Sequence, residues 1–458
     1  MKRIVALFLC LLMLLPLFSC SAEKSGETAT QEVKEENGST PMKPTPTSDK
    51  ETEEDKKTQE NKGPVTYDKV SDPLTPERVA QIPIANSSMT TDELRQICVD
   101  YVRLSVSFQW VPNQDFNYEA NQSGGTPVKF YEGKLHGGIP YVNVASGNIY
   151  RILEYYDTTT GVLNVKWLSK NILLFGTACS GTTDWGWHRV INSAKLSWTA
   201  NMTQKNGLIK VGPYEYDPEI FRFGEDGAPD CKDIAKSNGE QTMYQSYAQS
   251  KKADCFVNNG HVRMNGADPV VVYKEDGVTI DGEKSYIVQV EQGLFTTGAY
   301  HKRVSRDGVE YVIQGNEGKM GDGSDFYYTF KDLFNTGYLP HTFKEFHGLD
   351  PVEKAEVLTF DWEGDVFNAK TGELAGKTMT TNYVISHTVT TVYDASGNEK
   401  LRYVKLIHPH YLYSAELQDI SPLSGLAQYQ KAGGHTIKVE VQLGNGEKLV
   451  AYEGTLAE

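Results

Sequence analysis

The pattern of apolar residues changes along this chain, and that change limits the possible folds more than any other feature. In TTDELRQICVDYVRLSVSF, Thr90 and Glu93 have the spacing of a helix capping box, and apolar residues follow at helical spacing. Further along, short apolar segments separated by Gly and Asp turns are typical of strands: HVRM, DPVVVYKEDG, VTIDGEKSYIVQVEQ, GVEYVIQG and DFYYTF. Helices followed by an antiparallel sheet indicate an α+β fold.

Two more segments complete this pattern. NIYRILEYYD is predicted to be helical, and FGTACSGTTDWGWHRV predicts a second helix that begins at or just after Cys179. Cys98 lies on the apolar stripe of the first helix, so a core position is expected for it.

A chain of 458 residues is longer than one core usually serves, so we expect two folded domains. The first covers 75–348, with helices packed on an antiparallel sheet. The second covers 349–458 and is predicted to be a small all-β, sandwich-like domain. In it, NYVISHTVTTVYDASGNEKLRYVKLIHPH reads as two strands joined at Ala395–Asn398, and HTIKVEVQLGNGEKLVAYEGTL reads as a hairpin turning at Gly444–Gly446.

The first 20 residues are predicted to be a signal peptide. Lys2 and Arg3 precede an apolar run that is short for a membrane span, and Leu17–Cys20 resembles a bacterial lipobox. We therefore expect Cys20 to be lipidated and to anchor the protein to the outer face of the cell membrane. Residues 21–74 are assigned to a disordered linker, because up to about Pro64 the segment has almost no large apolar residue.

The net charge of the chain indicates which classes of partner it can bind. The chain has 60 acidic and 45 basic residues, a net charge of -15, whereas nucleic-acid binding needs a basic surface. Nucleic acid is therefore not expected as a partner. No cofactor is expected either: His408 and His410 lack a third ligand at useful spacing for zinc, and Asp322–Asp325 is read as a turn.

Cys179 is the candidate nucleophile. A free thiol has a pKa of about 8.5 and is only a few per cent ionised at neutral pH, but a helix N-terminus and a neighbouring imidazolium both favour the thiolate. His261 follows the turn Asn258–Gly260 and opens a strand, so it is the candidate base. On the next strand, Glu291 or Gln289 could orient the imidazole.

Four segments, in order, carry a family resemblance: Gly138-Ile139-Pro140-Tyr141, Ala178-Cys179-Ser180-Gly181, TMYQSYAQSKKADCFV with Asp254, and His261-Val262-Arg263-Met264. With these the sequence resembles the NlpC-type cell-wall peptidases, bacterial cysteine enzymes with a compact papain-like fold. The resemblance covers residues 90 to about 345 loosely.

The resemblance implies a set of site residues. Cys179 would attack a peptide carbonyl, His261 would transfer the proton, and Glu291 would steer the imidazole. The backbone N–H of Cys179 would help to hold the oxyanion. Tyr141, Ser180 and Trp185 are assigned to substrate binding, although for Trp185 packing against the sheet is the first role and a substrate wall the second. The implied substrate is the peptide stem of peptidoglycan, and a monomer is expected.

The segments also depart from the family. Ala178 stands where many members have an aspartate that reads the free amino end of the stem peptide, and the chain carries insertions on both sides of Cys179. The alternative function is therefore a non-catalytic surface lipoprotein that binds glycan or peptide. Outside a reducing cytosol, Cys231 and Cys255 could form a disulfide. Leaving Cys179 and Cys98 unpaired fits the enzyme interpretation, whereas pairing of Cys179 with another cysteine would exclude it.

Overall fold

The computed structural model describes residues 65–118, 128–140, 147–166, 175–192, 199, 202–204, 207–222, 226–290, 300–306, 309–315, 326–347, 352–368, 373–407, 414–416, 429 and 432–455. Helices α1 to α7 span Pro76–Ala80, Thr91–Ser107, Ile149–Leu153, Cys179–Trp187, Cys231–Asn238, Glu240–Gln249 and Phe330–Thr336, and a 3₁₀ helix spans Lys344–His347. This mixture of helices and sheets confirms the α+β prediction at the level of secondary structure.

Strands β1 to β14 precede residue 343. They span Gln109–Pro112, Phe116–Tyr118, Val128–Phe130, His136–Gly137, Tyr156–Asp157, Val162–Leu163, Ile209–Lys210, Cys255–Val257, Val262–Asn265, Tyr286–Val290, Tyr300–Arg306, Val309–Gly315, Phe326–Thr329 and Leu339–Thr342. Strands β15 to β21 span Val357–Asn368, Glu373–Thr381, Ile385–Tyr393, Glu399–Leu406, Ser414–Glu416, Thr436–Leu443 and Lys448–Thr455.

A 6-stranded sheet with the order β13-β10-β9-β8-β14-β7 organises the first part of the chain. The neighbouring strands of this sheet pair in the antiparallel direction. Val257, Val262 and Met264 pack with α2 and α4 in one apolar cluster. Phe256 and Ile287 pack with α5, α6 and α7 in another. Because side chains alternate along a strand, these two clusters cover opposite faces of the sheet.

Helix α2 forms where the capping box predicts it. The Thr90 side chain accepts from the Glu93 backbone N–H, and the Glu93 carboxylate accepts from the Thr90 N–H at 2.7 Å. The predicted stripe is buried at Leu94, Ile97 and Cys98 and at further helical positions. A cap of this kind contributes about 1 kcal/mol, and burial of the stripe contributes more.

The packed part of the chain begins before residue 75, so the linker boundary is corrected. Leu74 is fully buried in the main apolar cluster. The Gln109 side chain accepts from the backbone N–H of Ser71 at 2.8 Å and of Asp72 at 3.1 Å. These residues are polar or flank prolines, so composition alone did not separate them from the linker.

The segment DPVVVYKEDG is not a strand, contrary to the prediction. It makes only the isolated bridges Val270↔Tyr286 and Tyr273↔Ile280. Val270 is 40% exposed and Tyr273 is 54% exposed, whereas Val271 packs against an apolar cluster, so only part of this segment gains from burial. The predicted strands nearby are shorter than their sequence segments, with β10 limited to Tyr286–Val290.

The last part of the chain forms two sheets with the orders β15-β16-β19 and β18-β17-β20-β21. Both predicted hairpins are confirmed. β17 pairs with β18 and β20 pairs with β21, each in the antiparallel direction. The first turn is held by Asp394, whose carboxylate accepts from the backbone N–H groups of Ser396 and Asn398 at 2.9 Å each. The second turn contains Gly446 with φ +98°, which a residue with a side chain rarely adopts.

The sheet β18-β17-β20-β21 packs directly against helices of the first part. Arg151 on α3 is 1% exposed and donates to the carbonyl oxygens of Ser386 at 3.0 Å and Ile407 at 2.7 Å. One helical turn away, Glu154 contacts His387 at 3.3 Å and also pairs with Arg402. Burial alone would raise the Glu154 pKa, but the hydrogen bonds and charges of His387 and Arg402 lower this pKa to about 2.

Candidate functional site

Cys179 is the first residue of α4, as predicted. Ala178 precedes it in an extended conformation, with φ −91° and ψ 174°, and its methyl side chain makes no capping hydrogen bond. The helix starts with the Thr182 N–H bonded to the Ala178 carbonyl at 2.9 Å. The N–H groups of a first helical turn point outward and carry the positive end of the helix dipole. The Cys179 side chain therefore lies at the positive end of α4.

The surroundings of Cys179 are tightly packed. Its side chain is 1% exposed, and its Sγ atom lies 3.9 Å from the Thr199 Oγ1 atom. The Thr183 hydroxyl donates to the Cys179 carbonyl oxygen at 3.0 Å, which fixes the first turn of the helix. A thiolate at this position would be stabilised by neighbouring dipoles rather than by bulk water.

Four cysteines lie in the described part of the chain, and all four are buried and form no disulfide: Cys98, Cys179, Cys231 and Cys255. The disulfide suggested for Cys231 and Cys255 is therefore not formed in this structure. Burial raises the pKa of the Cys98, Cys231 and Cys255 thiols well above the usual value. These three thiols are protonated and unreactive at neutral pH.

Helix α4 packs closely on the central sheet. Gly186 lies so near α2 and β9 that a Cβ atom on it would come within 2.6 Å of Val102 Cγ2 and 3.0 Å of Met264 Cε. Trp187 donates its indole N–H to the Ala253 carbonyl at 2.9 Å, and Ala253 in turn bonds to Asn265. The C-terminal end of α4 thus lies beside the Asn265 end of β9. His261 lies at the other end of β9, directly before Val262.

His261 is half-buried and precedes β9 in a tight turn. The Asn258 side-chain oxygen accepts from the backbone N–H groups of Gly260 at 3.1 Å and His261 at 2.9 Å. The Asn258 N–H donates to the His261 carbonyl at 3.0 Å. Asn259 ties the turn to α5, since its side chain accepts from the Cys231 N–H at 2.9 Å. The turn therefore has a defined conformation.

The faces of β9 complicate the pairing of His261 with Cys179. Val262 and Met264 face α4, whereas the Arg263 guanidinium lies over the Tyr328 ring at 3.7 Å on the opposite face. Regular alternation would place His261 on the Arg263 face. To approach Cys179, the His261 side chain must leave that alternation, which the turn before the strand permits because His261 lies outside β9.

Of the two candidates for orienting the imidazole, Gln289 lies within the described residues and Glu291 does not. Glu291 and Tyr141 lie outside the described residues, as does the lipidation candidate Cys20. Gln289 is described: it pairs with Asn265, and its Oε1 atom accepts from Arg263 at 3.1 Å. Asn265 lies four residue steps along the chain from His261, at about 3.3 Å per step, so Gln289 is too distant to orient that imidazole.

Ser180 and Trp185 follow Cys179 on α4. Ser180 is 8% exposed in the first turn. Trp185 is 1% exposed, and its ring contacts the Arg151 guanidinium and the His188 ring, each at 5.7 Å. A Cβ atom on Gly444 would lie 3.0 Å from Trp185 Cζ3. Trp185 thus packs between the two parts of the chain, which is the packing role left open above and leaves its ring covered where a substrate would have to contact it.

Asp254, in the segment that resembles the family motif, forms a buried ion pair. Its carboxylate lies 2.6 Å from Arg95 Nη1, and both side chains are nearly inaccessible. Burial raises the Asp254 pKa, although the Arg95 charge opposes this shift. The pair links α2 to the start of β8 and so fixes two elements that frame the site.

Thr199, Arg151 and Gly444 are site neighbours that sequence reasoning missed. Thr199 and Gly444 are 20 and 265 residues from Cys179 (199 minus 179, 444 minus 179). The sequence marks Gly444 only as part of a hairpin turn and gives no pattern for Thr199. Only the fold brings them to α4.

Within the described ranges, no group of at least three His, Cys, Asp or Glu residues is arranged to hold a metal ion. His408, His410 and Asp322–Asp325 fall outside those ranges. The helices of the described part of the chain include none with the length and apolar character needed to cross a bilayer.

Comparison of the chain with protein-family models, with curated proteins and with solved structures found no match. The resemblance to NlpC-type peptidases therefore rests on the residues of the four segments alone. Support for a function of this chain therefore comes from the position and surroundings of its candidate site residues.

Proposed function

We propose that the protein is a membrane-anchored cysteine peptidase or amidase of the cell envelope that cleaves the peptide stems of peptidoglycan. The observation that carries the proposal is the placement of Cys179 as the first residue of a helix packed on an antiparallel sheet. The second support is the position of His261, which directly precedes strand β9 of that sheet. A papain-like nucleophile requires a cysteine at a helix N-terminus and a histidine that can pair with it.

The reaction divides into two steps. The Cys179 thiolate attacks the carbonyl carbon of the scissile bond, and the oxyanion is held by the Cys179 N–H and its neighbours. The protonated His261 gives its proton to the departing amine, which leaves a thioester on Cys179. Water, deprotonated by His261, then hydrolyses the thioester and restores the thiolate. Glu291 would orient the imidazole, and Tyr141 and Ser180 would shape the substrate site.

The choice of substrate follows from location and resemblance. A lipid anchor at Cys20 and a polar linker would hold the catalytic body outside the membrane, within reach of the cell wall. The absence of an aspartate at Ala178 argues that recognition of the stem's free amino end differs from that of the family.

The test is incubation of the purified mature protein with muropeptides, followed by mass spectrometry of the products. Cleavage by the wild type and its loss in Cys179→Ala are expected. Cys98→Ala is the matched control, because Cys98 is a buried thiol on a neighbouring helix and should not affect the chemistry. His261→Ala should lower the rate by about 100-fold or more, whereas His347→Ala, an exposed histidine, should not. A wild-type protein that cleaves no wall fragment would contradict the proposal.

A second function is favoured by two observations: Cys179 is 1% exposed, and regular alternation turns His261 away from it. They support a non-catalytic lipoprotein that binds glycan or peptide. Iodoacetamide separates the two functions. A thiolate at Cys179 should react well below neutral pH in the folded protein, whereas an inert buried thiol should react only after unfolding.

A further inference from the structure

We propose that Thr199 is a catalytic residue in contact with the reacting sulfur, and that its hydroxyl donates a hydrogen bond to the Cys179 thiolate. The Thr199 Oγ1 atom lies 3.9 Å from Cys179 Sγ. Neither the family resemblance nor any sequence pattern assigns a role to this residue. The inference rests on the proposed function, since it takes Cys179 to be the nucleophile.

The direction of this hydrogen bond depends on the protonation of the sulfur. A neutral thiol can donate to or accept from a hydroxyl, whereas a thiolate can only accept. Ionisation of Cys179 therefore makes Thr199 the donor. A hydrogen bond to a charged acceptor is stronger than one between neutral groups, so the contact stabilises the ionised form more than the neutral form.

Burial makes the contact more important. Cys179 is 1% exposed and Thr199 is 8% exposed, so little water can reach the sulfur. Two other threonine hydroxyls near the helix start are directed elsewhere: Thr182 donates to Thr177 and Thr183 donates to the Cys179 carbonyl. Thr199 thus adds a side-chain dipole where the helix supplies only backbone N–H groups.

The experiment is a pH titration of thiolate ultraviolet absorbance in the purified protein, with a Cys179→Ser version of each protein subtracted to remove every other thiol. Thr199→Val keeps the side-chain shape and removes the hydroxyl. We expect its midpoint of thiolate formation to rise by about one pH unit, a tenfold loss of ionisation at a fixed pH. Thr199→Ser is the matched control and should titrate close to the wild type.

The outcomes are distinct. An unchanged midpoint in Thr199→Val would overturn the inference, and so would equal shifts in the valine and serine variants. If Thr199→Val does not fold, Thr199→Ala, checked by circular dichroism, replaces it with the same expectation. A shifted midpoint in a protein that cleaves no muropeptide would support the contact while contradicting the proposed peptidase function.

Discussion

Several histidines are buried without an obvious catalytic role, and their titration should govern how stability responds to acid. Burial lowers the pKa of His188 to about 3 and that of His341 to about 4. Burial also lowers the pKa of His387, against the opposing effect of Glu154. Each of these side chains is thus neutral in the folded protein at neutral pH. In the unfolded chain each would take up a proton near the ordinary value of 6.5.

His341 provides the residue-level prediction. Between pH 6.5 and about 4 the unfolded chain binds a proton at this position and the folded chain does not, so the free energy of unfolding falls as the pH is lowered. The contribution is up to about 1.4 kcal/mol per pH unit. In His341→Gln the decrease measured by urea denaturation should be shallower by that amount.

The matched control is His347→Gln, because His347 is exposed and lies on the short 3₁₀ helix that follows the same strand. This variant should retain the wild-type dependence of stability on pH. A steep decrease that persists unchanged in His341→Gln would show that His341 does not contribute to it.

At the scale of single residues, the sequence predicted the positions of some candidate site residues but not the contacts of others. The position of Cys179 at a helix start was predictable, because Cys-Ser-Gly after an apolar run is a local pattern. The packing of Trp185 against Gly444 and the contact of Thr199 with Cys179 were not predictable, since both depend on partners brought together by the tertiary fold. The direction of His261 depends on a turn whose geometry is not encoded in strand alternation.

At the scale of elements, α4 depends on close approach to α2 and β9. Ala at position 186 would place its Cβ atom 2.6 Å from Val102 Cγ2 and 3.3 Å from the Cys98 carbonyl oxygen. Val102 is branched and buried, so it cannot move aside easily. We expect Gly186→Ala to lower the free energy of unfolding by about 1 to 3 kcal/mol, despite the better helix propensity of alanine.

Gly260→Ala is the control for this substitution. A Cβ atom at Gly260 meets no heavy atom within 4 Å, so thermal or urea denaturation should show a change below about 0.5 kcal/mol. Equal stability of Gly186→Ala and the wild type would mean that α4 can shift away from β9 without loss.

Local patterns predicted elements where local chemistry determines them. The capping box at Thr90 and the Gly and Asn turns of the C-terminal hairpins were correct, because they specify hydrogen bonds within a few residues. DPVVVYKEDG failed because strand composition does not guarantee a partner strand, and this segment finds only isolated bridges.

At the scale of the whole molecule, the C-terminal sheets are joined to the first part of the chain by buried polar contacts. Arg151 is the centre of these contacts. Arg151→Met would leave the carbonyl groups of Ser386 and Ile407 without the guanidinium. The expected loss is about 2 to 5 kcal/mol in the free energy of unfolding, measured by urea denaturation.

An exposed ion pair gives the comparison. Lys134 and Asp68 lie 3.5 Å apart with side chains 60% and 40% exposed, so Lys134→Met should cost less than about 1 kcal/mol. If Arg151→Met lowered the free energy of unfolding no more than Lys134→Met, the contacts of Arg151 with Ser386 and Ile407 would contribute little to stability.

The sequence indicated a second, all-β region but not its relation to the first. Strand alternation predicts which residues of a hairpin are buried, not what covers them. Arg151, Glu154 and Gly444 lie in segments that look ordinary on their own, and only their long-range contacts give them a role.

The turn between β20 and β21 contacts α4 through Gly444, and this contact can form only late in synthesis of the chain. The ribosome makes Cys179 long before Gly444, yet the Trp185 side of its helix gains this neighbour only when that turn exists. A chain terminated early would carry the thiol on an incompletely supported helix. Premature fragments would therefore lack this contact with Trp185, and the packing of α4 would be complete only once almost the entire polypeptide had been made.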